Sequence, residues 1–354
     1  MDEHHHYEQQ NCNFLLRISE LVSVQTETVT IVKKMRLIII LHLKISYPII
    51  SPMQNLILFL FLSLSVQTLS AQPVICNGKT YPPLSFSAAA MQKMEADLQV
   101  AKTNYEADGS NADNIIWYGR RLAYMGRYDE AIAIFTQGIA THPKDARMYR
   151  HRGHRYLTTR CYSKAIADFE QAASLIKRKK DEMEPDGMPN AKNIPTSSLH
   201  SNIWYHLGLA YYLTKDYQKA AAAYKKCLAV SNNPDMYVAT ANWYYLTLRK
   251  LDKDKAADAL LKTINREMEL IENTDYLTIL LIYKEQQNAA AVRTKFLDKD
   301  LTGTLSNATI GFGLGSYFLS IGKIAEGKDI LQRVIAAPQW GSFAYMAAEV
   351  ALEK

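Results

Sequence analysis

The chain has 354 residues, of which 48% are hydrophobic and 21% are charged, with 15 Gly and 11 Pro. This composition excludes a disordered, collagen-like or low-complexity chain, and the length allows about two or three domains. Four Cys in a chain of this length cannot form a dense disulfide framework. The net charge of +6 is dispersed along the chain, so it does not predict nucleic-acid binding.

The first part of the chain contains a long stretch without formal charge, residues 45–78. Its most apolar part, residues 56–66, has the length of a signal-peptide apolar region and is short for a membrane span. Ala71, with Leu69 two residues before it, is an acceptable cleavage site. One interpretation is therefore that residues 1–52 are an upstream extension outside the expressed protein, and that 53–71 are a signal peptide.

The alternative interpretation is an uncleaved membrane anchor over residues 45–71, although Pro48 and Pro52 disfavour a continuous helix there. The cytoplasmic positive charges would then be Lys33, Lys34, Arg36 and Lys44. Both interpretations place residue 72 onward outside a bacterial cytoplasm, in the periplasm or secreted. With cleavage, the mature form has no integral membrane domain. Cys76 is not predicted to be lipidated, because the bulky Val74 and Ile75 precede it.

After an N-terminal segment with a capping helix (72–111), the sequence repeats with a period of 34 residues. Segments 112–145, 146–179 and 201–234 each predict two helices around a turn. A small residue recurs in the first helix (Gly119, Gly153, Gly208) and an Ala in the second (Ala131, Ala165, Ala220), so that the paired helices can pack closely. This pattern resembles the tetratricopeptide repeat (TPR), which implies an all-α right-handed superhelix of stacked helical hairpins.

The resemblance predicts about five hairpins with terminal capping helices. Residues 235–307 are predicted to form degenerate hairpins, and residues 308–354 a last hairpin followed by a capping helix. Motifs around Tyr149–Tyr156, 184–190 and 202–208 resemble an uncharacterised group of exported bacterial TPR proteins. The layout is more loosely similar to the NlpI-type periplasmic TPR adaptors, which implies a role in the cell envelope.

An insertion over residues 180–200 separates the second repeat from the third. Its Glu-Pro-Asp-Gly turn signal and Pro185, Pro189 and Pro195 exclude a helix. Two readings remain open: a tolerated surface loop, or a loop that folds over the groove and shapes a ligand site.

The resemblance implies that inward-facing positions of the first helices line a concave groove, which would be basic at its start and aromatic further on. Such a surface suits a protein or peptide partner with acidic side chains or a terminal carboxylate. The predicted groove residues are Arg120, Arg147, Arg150, His154, Tyr205 and Tyr212.

His151, His154 and His206 are the candidates for chemistry, because His151 and His154 share a helix face and His206 lies at a matching position of the next repeat. The neighbouring Arg residues disfavour a metal ion, so no metal or other cofactor is predicted. Cys161 and Cys227 are not expected to pair, and Cys227 is read as a small core residue.

The sequence thus predicts an exported TPR scaffold, not an enzyme, that binds a protein or peptide partner through its groove. The alternatives are a structural component that uses its convex face, or an enzyme that uses the cluster of His151, His154 and His206.

Overall fold

The computed structural model describes residues 75–285, 287–297 and 304–353, which all belong to the unit Gln72–Lys354. The predicted extension, signal peptide and alternative anchor lie outside these residues. None of the described helices is long and apolar enough to cross a membrane. The helices in these ranges are α1 (Ala88–Ala107), α2 (Ala112–Tyr124), α3 (Tyr128–Thr141), α4 (Ala146–Thr158), α5 (Tyr162–Leu175), α6 (Leu199–Leu213), α7 (Tyr217–Val230), α8 (Pro234–Lys250), α9 (Asp254–Lys262), α10 (Thr274–Tyr283), α11 (Ala289–Phe296), α12 (Leu305–Ser320), α13 (Ile324–Ala336) and α14 (Phe343–Leu352).

Helices α2 to α9 pair into four consecutive hairpins and α12 pairs with α13, and the described part is all-α as the TPR pattern predicts. Within it there are five such hairpins, as expected. Between the fourth and the last, α10 contacts α8 and α12, and the short α11 contacts α12. The first helices of neighbouring hairpins also contact one another, from α2 through α12. They form the inner, concave layer of the stack, and the second helices lie outside it.

The hairpin turns have a left-handed residue at the same repeat position, whether or not that residue is glycine. Gly126 has φ 77°, and Arg160 and Lys215 occupy the equivalent positions with φ 58° and 63°. A side chain at such a φ costs about 1–2 kcal/mol. The packing of the flanking helices therefore determines this turn, since two of the three residues are unfavourable for it.

The predicted close packing within the hairpins is confirmed. A Cβ atom placed on Gly208 would lie 2.6 Å from Tyr224 Cε1, and one on Gly119 would lie 2.5 Å from Phe135 Cζ. Ala131, Ala165 and Ala220 are completely buried. Small residues on one helix thus leave room for an aromatic ring of its partner, which is the physical basis of the repeat pattern.

The N-terminal segment is tied to the second hairpin by a disulfide that the sequence analysis did not predict. Cys76 pairs with Cys161, 85 residues away and in the α4–α5 turn. Cys227 is free and buried, as a core residue should be. The disulfide holds the segment in front of α1 against the repeats.

Helix α14 does not simply extend the stack at its C-terminal end. It packs on α13 and α12, and it also reaches α6, the first helix of the third hairpin. Because α6 and α12 both belong to the inner layer, α14 lies across the concave side. The capping segment therefore covers part of the surface that the sequence analysis treated as an open groove.

A candidate binding site on the concave face

The insertion folds over the first two hairpins and is held there by arginine side chains. Arg120 Nη2 donates a hydrogen bond to the Pro185 carbonyl (2.9 Å), and Arg121 Nη1 donates to the Gly187 carbonyl (2.9 Å). Gly187 approaches so closely that a Cβ atom there would lie 2.0 Å from the Tyr124 hydroxyl. Of the two readings of the insertion, this geometry is that of a loop covering the concave face.

Glu184 is the main polar anchor of the insertion. Its carboxylate accepts from Arg150 Nη2 at 3.0 Å and from the amide of Asn202, and its Oε1 lies 3.6 Å from His151 Nε2. The Glu184 side chain is only 9% exposed, so this cluster is shielded from water. A buried carboxylate between two helices fixes the insertion relative to α4 and α6.

The protonation of His151 follows from the same contacts. Arg150 Nη1 lies 2.9 Å from His151 Nδ1, and since a guanidinium only donates, Nδ1 must accept. Burial, followed by the positive charge of Arg150, holds the His151 pKa well below its usual value. His151 is therefore neutral at pH 7 and carries its proton on Nε2, towards Glu184.

The C-terminal segment covers the middle of the concave face with aromatic contacts. The ring of Phe343, the first residue of α14, lies 5.4 Å from that of His154, 5.3 Å from His206 and 6.2 Å from Tyr205. Further along, Trp340 stacks on Tyr81 with 4.9 Å between ring centres. The segment is thereby fitted to the inner layer and to the N-terminal segment.

A buried ion pair secures this segment. Arg160 Nη2 and Nε donate to Glu349 Oε2 at 2.8 and 3.1 Å, and the side chains are 1% and 7% exposed. Tyr81 donates its hydroxyl to Glu349 Oε1 at 2.5 Å. Burial and this hydrogen bond raise the Tyr81 pKa to about 12, so the hydroxyl keeps its proton.

Two cavities remain between the inner helices and these covering segments. The first, which we call the basic cavity, has a volume of about 290 Å³. It lies between α2, α4 and the insertion. The charged and histidine side chains that line it are Arg120, Arg150, Arg155, His151, His154, Glu184, Asp186 and Glu272.

The second, the aromatic cavity, has a volume of about 600 Å³ and lies between α4, α6, α8, α10, α12 and α14. Its floor includes a hydrogen-bonded group in which Trp243 Nε1 donates to the Tyr205 hydroxyl (2.8 Å), which lies 3.2 Å from the Tyr276 hydroxyl. The two cavities share His154, Thr196, Ser197 and Glu272 in their linings. Other lining residues are Tyr205, Tyr276, Met236, Leu305, Thr309 and Phe343.

Four of the six predicted groove residues lie in these cavities. Arg120 and Arg150 line the basic cavity, Tyr205 lines the aromatic cavity, and His154 lines both. However, Arg120 and Arg150 are engaged by the insertion, which the repeat pattern alone does not reveal.

Arg147 and Tyr212 lie in neither cavity. The Arg147 guanidinium is bound by Asp145 and Asp113, each at 2.6 Å. Tyr212 is 5% exposed and packs edge-on against Trp243. The degenerate fourth hairpin contributes this tryptophan and covers the place where the groove was expected.

Arg155, Tyr276 and Phe343 were missed by the sequence analysis. Arg155 lies on α4 at a repeat position where the third repeat has the buried Ala210. A charged residue at a packing position was a signal that could have been used. No comparable signal existed for Phe343, because its placement depends on how α14 turns back onto α6.

The histidines of the concave face are neutral side chains. Burial lowers the pKa of His206 to about 3, and the pKa of His154 is also well below its usual value, first because of burial and then because of Arg155. The rings of His154 and His206 lie 4.5 Å apart. In the described ranges no three His, Cys, Asp or Glu side chains are grouped so that they could hold a metal ion.

Comparisons with known proteins find tetratricopeptide repeats in two parts of the chain. Tetratricopeptide-repeat models match residues 119–180 and 201–234. None of the curated proteins matches this chain. Among solved structures, it is similar to MamA (16% identity, TM-score 0.38, covering 51% of this chain and 93% of that one). It is also similar to YrrB, described as a TPR protein with an unusual peptide-binding site (14% identity, TM-score 0.39, covering 72% of this chain and 98% of that one). A third similar structure is TTC0263 of Thermus thermophilus (18% identity, TM-score 0.40, covering 55% of this chain and 93% of that one).

Proposed function

We propose that this chain, which carries tetratricopeptide repeats, is an exported scaffold that binds a peptide segment of a partner protein in the aromatic cavity, as an adaptor in the cell envelope. The repeats indicate a protein-interaction scaffold. The observation that carries the finer proposal is the aromatic cavity itself. It is a concave site of about 600 Å³ with a mixed aromatic and polar lining, between the inner helices and α14, and its volume is within the usual range of ligand pockets.

The chemistry of the aromatic cavity suits a short peptide segment. Tyr205, Tyr276 and Phe343 offer ring surfaces for an apolar side chain, and Asp275, Ser306 and Thr309 offer polar groups for a peptide backbone. Leu305, at the start of α12, is 60% exposed in this lining. An exposed leucine at the edge of a cavity is a natural contact for a partner, because its burial removes apolar area from water.

Export is supported by two independent features. Residues 45–78 lack formal charge and contain an apolar stretch followed by small and polar residues that would be acceptable for signal-peptide cleavage. The Cys76–Cys161 disulfide is of a kind that persists in oxidising compartments. Cell fractionation with alkylation of free thiols tests this part of the proposal. Recovery of the protein in the cytoplasm with both thiols reduced would contradict it.

The binding proposal is tested with a matched pair of variants, Leu305→Glu and Ile324→Glu. Each residue is the first of its helix and carries an exposed apolar side chain, 60% and 49% exposed. Only Leu305 lines the aromatic cavity. A glutamate in the first turn is favourable to a helix, so neither change should unfold the protein.

The measurement is crosslinking and affinity capture of the whole chain from the extracytoplasmic fraction, with identification by mass spectrometry. We expect a defined partner that is captured by the wild type and by Ile324→Glu, and lost with Leu305→Glu. Equal capture by Leu305→Glu would refute binding in the aromatic cavity. Loss with Ile324→Glu alone would instead support the outer surface as the interface.

A further inference from the structure

Arg155 differs from the other arginines of α4 in having no carboxylate partner. Arg147 pairs with Asp145, Arg150 with Glu184 and Arg152 with Asp168, at 2.6, 3.0 and 2.7 Å. Within the described ranges, no carboxylate lies within 4 Å of the Arg155 guanidinium, and its nitrogens make no hydrogen bond. Its nearest partner is the ring of Tyr128, 5.8 Å from its Cζ.

The Arg155 side chain is half-buried, and its charge has no counter-ion in the described ranges. Burial lowers its pKa to about 10, and the nearby positive charges of Arg150 and Arg120 lower it further. A cation that is partly removed from water and has no counter-ion is unfavourable. Arg155 lines the basic cavity, which has room for a counter-ion that is not part of the chain.

The rest of the lining indicates which kind of anion would fit. His154 is neutral and lines the cavity beside Arg155, and its ring nitrogens have no hydrogen-bond partner in the described ranges. It can donate one hydrogen bond next to the guanidinium. Glu184, Asp186 and Glu272 also line the cavity, so a doubly charged anion such as phosphate would be repelled.

We propose that the basic cavity is a binding site for a monocarboxylate, held by the Arg155 guanidinium with the His154 ring beside it. A guanidinium and a carboxylate match in shape and form paired, charge-assisted hydrogen bonds. The cavity volume of about 290 Å³ suits a small organic acid or one terminal residue of a peptide. The site goes beyond the proposed function, since a free acid needs no protein partner.

The same carboxylate chemistry could come from two sources. A small organic acid could occupy the cavity alone. The C-terminal carboxylate of a peptide could also reach it from the aromatic cavity, which shares His154, Thr196 and Ser197 in its lining. Only the second source depends on the proposed peptide binding.

The test is a calorimetric titration of the purified whole chain with N-acetylalanine and with its amide, which differs only in lacking the carboxylate charge. A short peptide with a free or an amidated C-terminus and inorganic phosphate are further probes. The variants are Arg155→Gln, Arg155→Lys and, as a matched control on the same helix, Arg147→Gln. Arg147 lies outside the cavity and is satisfied by acidic residues.

We expect N-acetylalanine or the free-acid peptide to bind the wild type and Arg147→Gln, and the amides not to bind. Arg155→Gln should bind at least about tenfold more weakly, and Arg155→Lys should lie between, because lysine keeps the charge and loses the paired geometry. Binding of N-acetylalanine identifies a free acid as a sufficient ligand. Binding of the peptide acid alone identifies a chain end.

Three results would overturn the proposal: no binding of either acid, equal binding by Arg155→Gln, or tighter binding of phosphate than of the acids. These titrations use purified protein and no partner. Their outcome is therefore independent of the partner-capture experiment with Leu305→Glu, which tests the proposed function.

Thermal unfolding separates a ligand site from a structural arginine. In buffer free of carboxylates, Arg155→Gln should unfold at the wild-type temperature or above it, because the change removes a half-buried charge that has no counter-ion. The added acid should raise the unfolding temperature of the wild type and not that of Arg155→Gln. A lowered unfolding temperature of Arg155→Gln without ligand would mean that Arg155 holds the fold together.

Discussion

The ion pair between Arg160 and Glu349 should be the main polar attachment of the C-terminal segment, and Glu349→Ala is the change that tests it. The carboxylate receives two hydrogen bonds from Arg160, at 2.8 and 3.1 Å, and one from Tyr81. Without it, a guanidinium that is 1% exposed would remain without a counter-ion.

The size of the effect follows from burial. Removal of one partner from a buried ion pair costs about 3–5 kcal/mol, because the other charge is left in a medium of low polarity. Arg160 would keep its hydrogen bonds to the carbonyls of Thr158 (2.6 Å) and Trp340 (2.7 Å). We therefore expect Glu349→Ala to lower the free energy of unfolding by about 3–4 kcal/mol, a large share of the total stability of a typical domain.

The assay is denaturant unfolding followed by circular dichroism, with the Cys76–Cys161 disulfide intact in every sample. Glu353→Ala is the matched control, because this neighbouring acid is 56% exposed and lies 3.8 Å from Lys79. Its change should cost at most about 1 kcal/mol.

The double variant Arg160→Met/Glu349→Leu removes both charges and keeps apolar volume. It should be more stable than Glu349→Ala alone, within about 1–2 kcal/mol of the wild type. Two results would refute the argument that burial makes this pair important. One is a decrease in the free energy of unfolding of less than about 1 kcal/mol for Glu349→Ala. The other is a double variant whose change in free energy equals the sum of the changes in the two single variants.

Three further predictions follow from the core and the covering segments. Because burial lowers the His206 pKa from 6.5 to about 3, the unfolded chain binds a proton between these pH values that the folded chain does not. The free energy of unfolding should therefore fall as the pH drops below about 6.5, by up to about 1.4 kcal/mol per pH unit for this group. In denaturant unfolding at several pH values, His206→Gln should reduce this pH dependence, and an unchanged dependence would contradict the assignment. Gly208→Ala should lower the free energy of unfolding by about 1–3 kcal/mol, because the new Cβ would lie 2.6 Å from the buried Tyr224 ring, and a neutral effect in thermal unfolding would contradict that packing. Reduction of the Cys76–Cys161 disulfide should lower the free energy of unfolding by about 2–4 kcal/mol, since the bridge closes a loop of 85 residues. Identical unfolding curves with and without reductant would show that the bridge does not form.

The concave face is organised by segments outside the regular repeats. The insertion covers the first two hairpins, and α14 covers the middle of the stack. Each leaves a cavity at its edge, one basic and one aromatic. The inner surface is thus divided into two smaller sites, which is why a peptide segment and a carboxylate are more suitable ligands than a long extended chain.

The sequence by itself determined the repeats. Gly119, Gly153 and Gly208 recur with their partner alanines at the same places within each 34-residue repeat, and this local pattern is enough to specify a helical hairpin. Close packing within one hairpin involves residues near one another in the chain, so it leaves a periodic trace that can be read without a structure.

Only the tertiary structure decided what covers the inner face and which arginine is free. Arg150 and Arg155 are both arginines of α4. Glu184 pairs with the first, whereas no acidic side chain of the described ranges reaches the second. Phe343 meets His154 across 189 positions of the chain. Contacts of this kind do not recur from repeat to repeat. They depend on the path of segments whose sequence has no regular pattern, and these segments can pack on the inner face only after the hairpins have stacked.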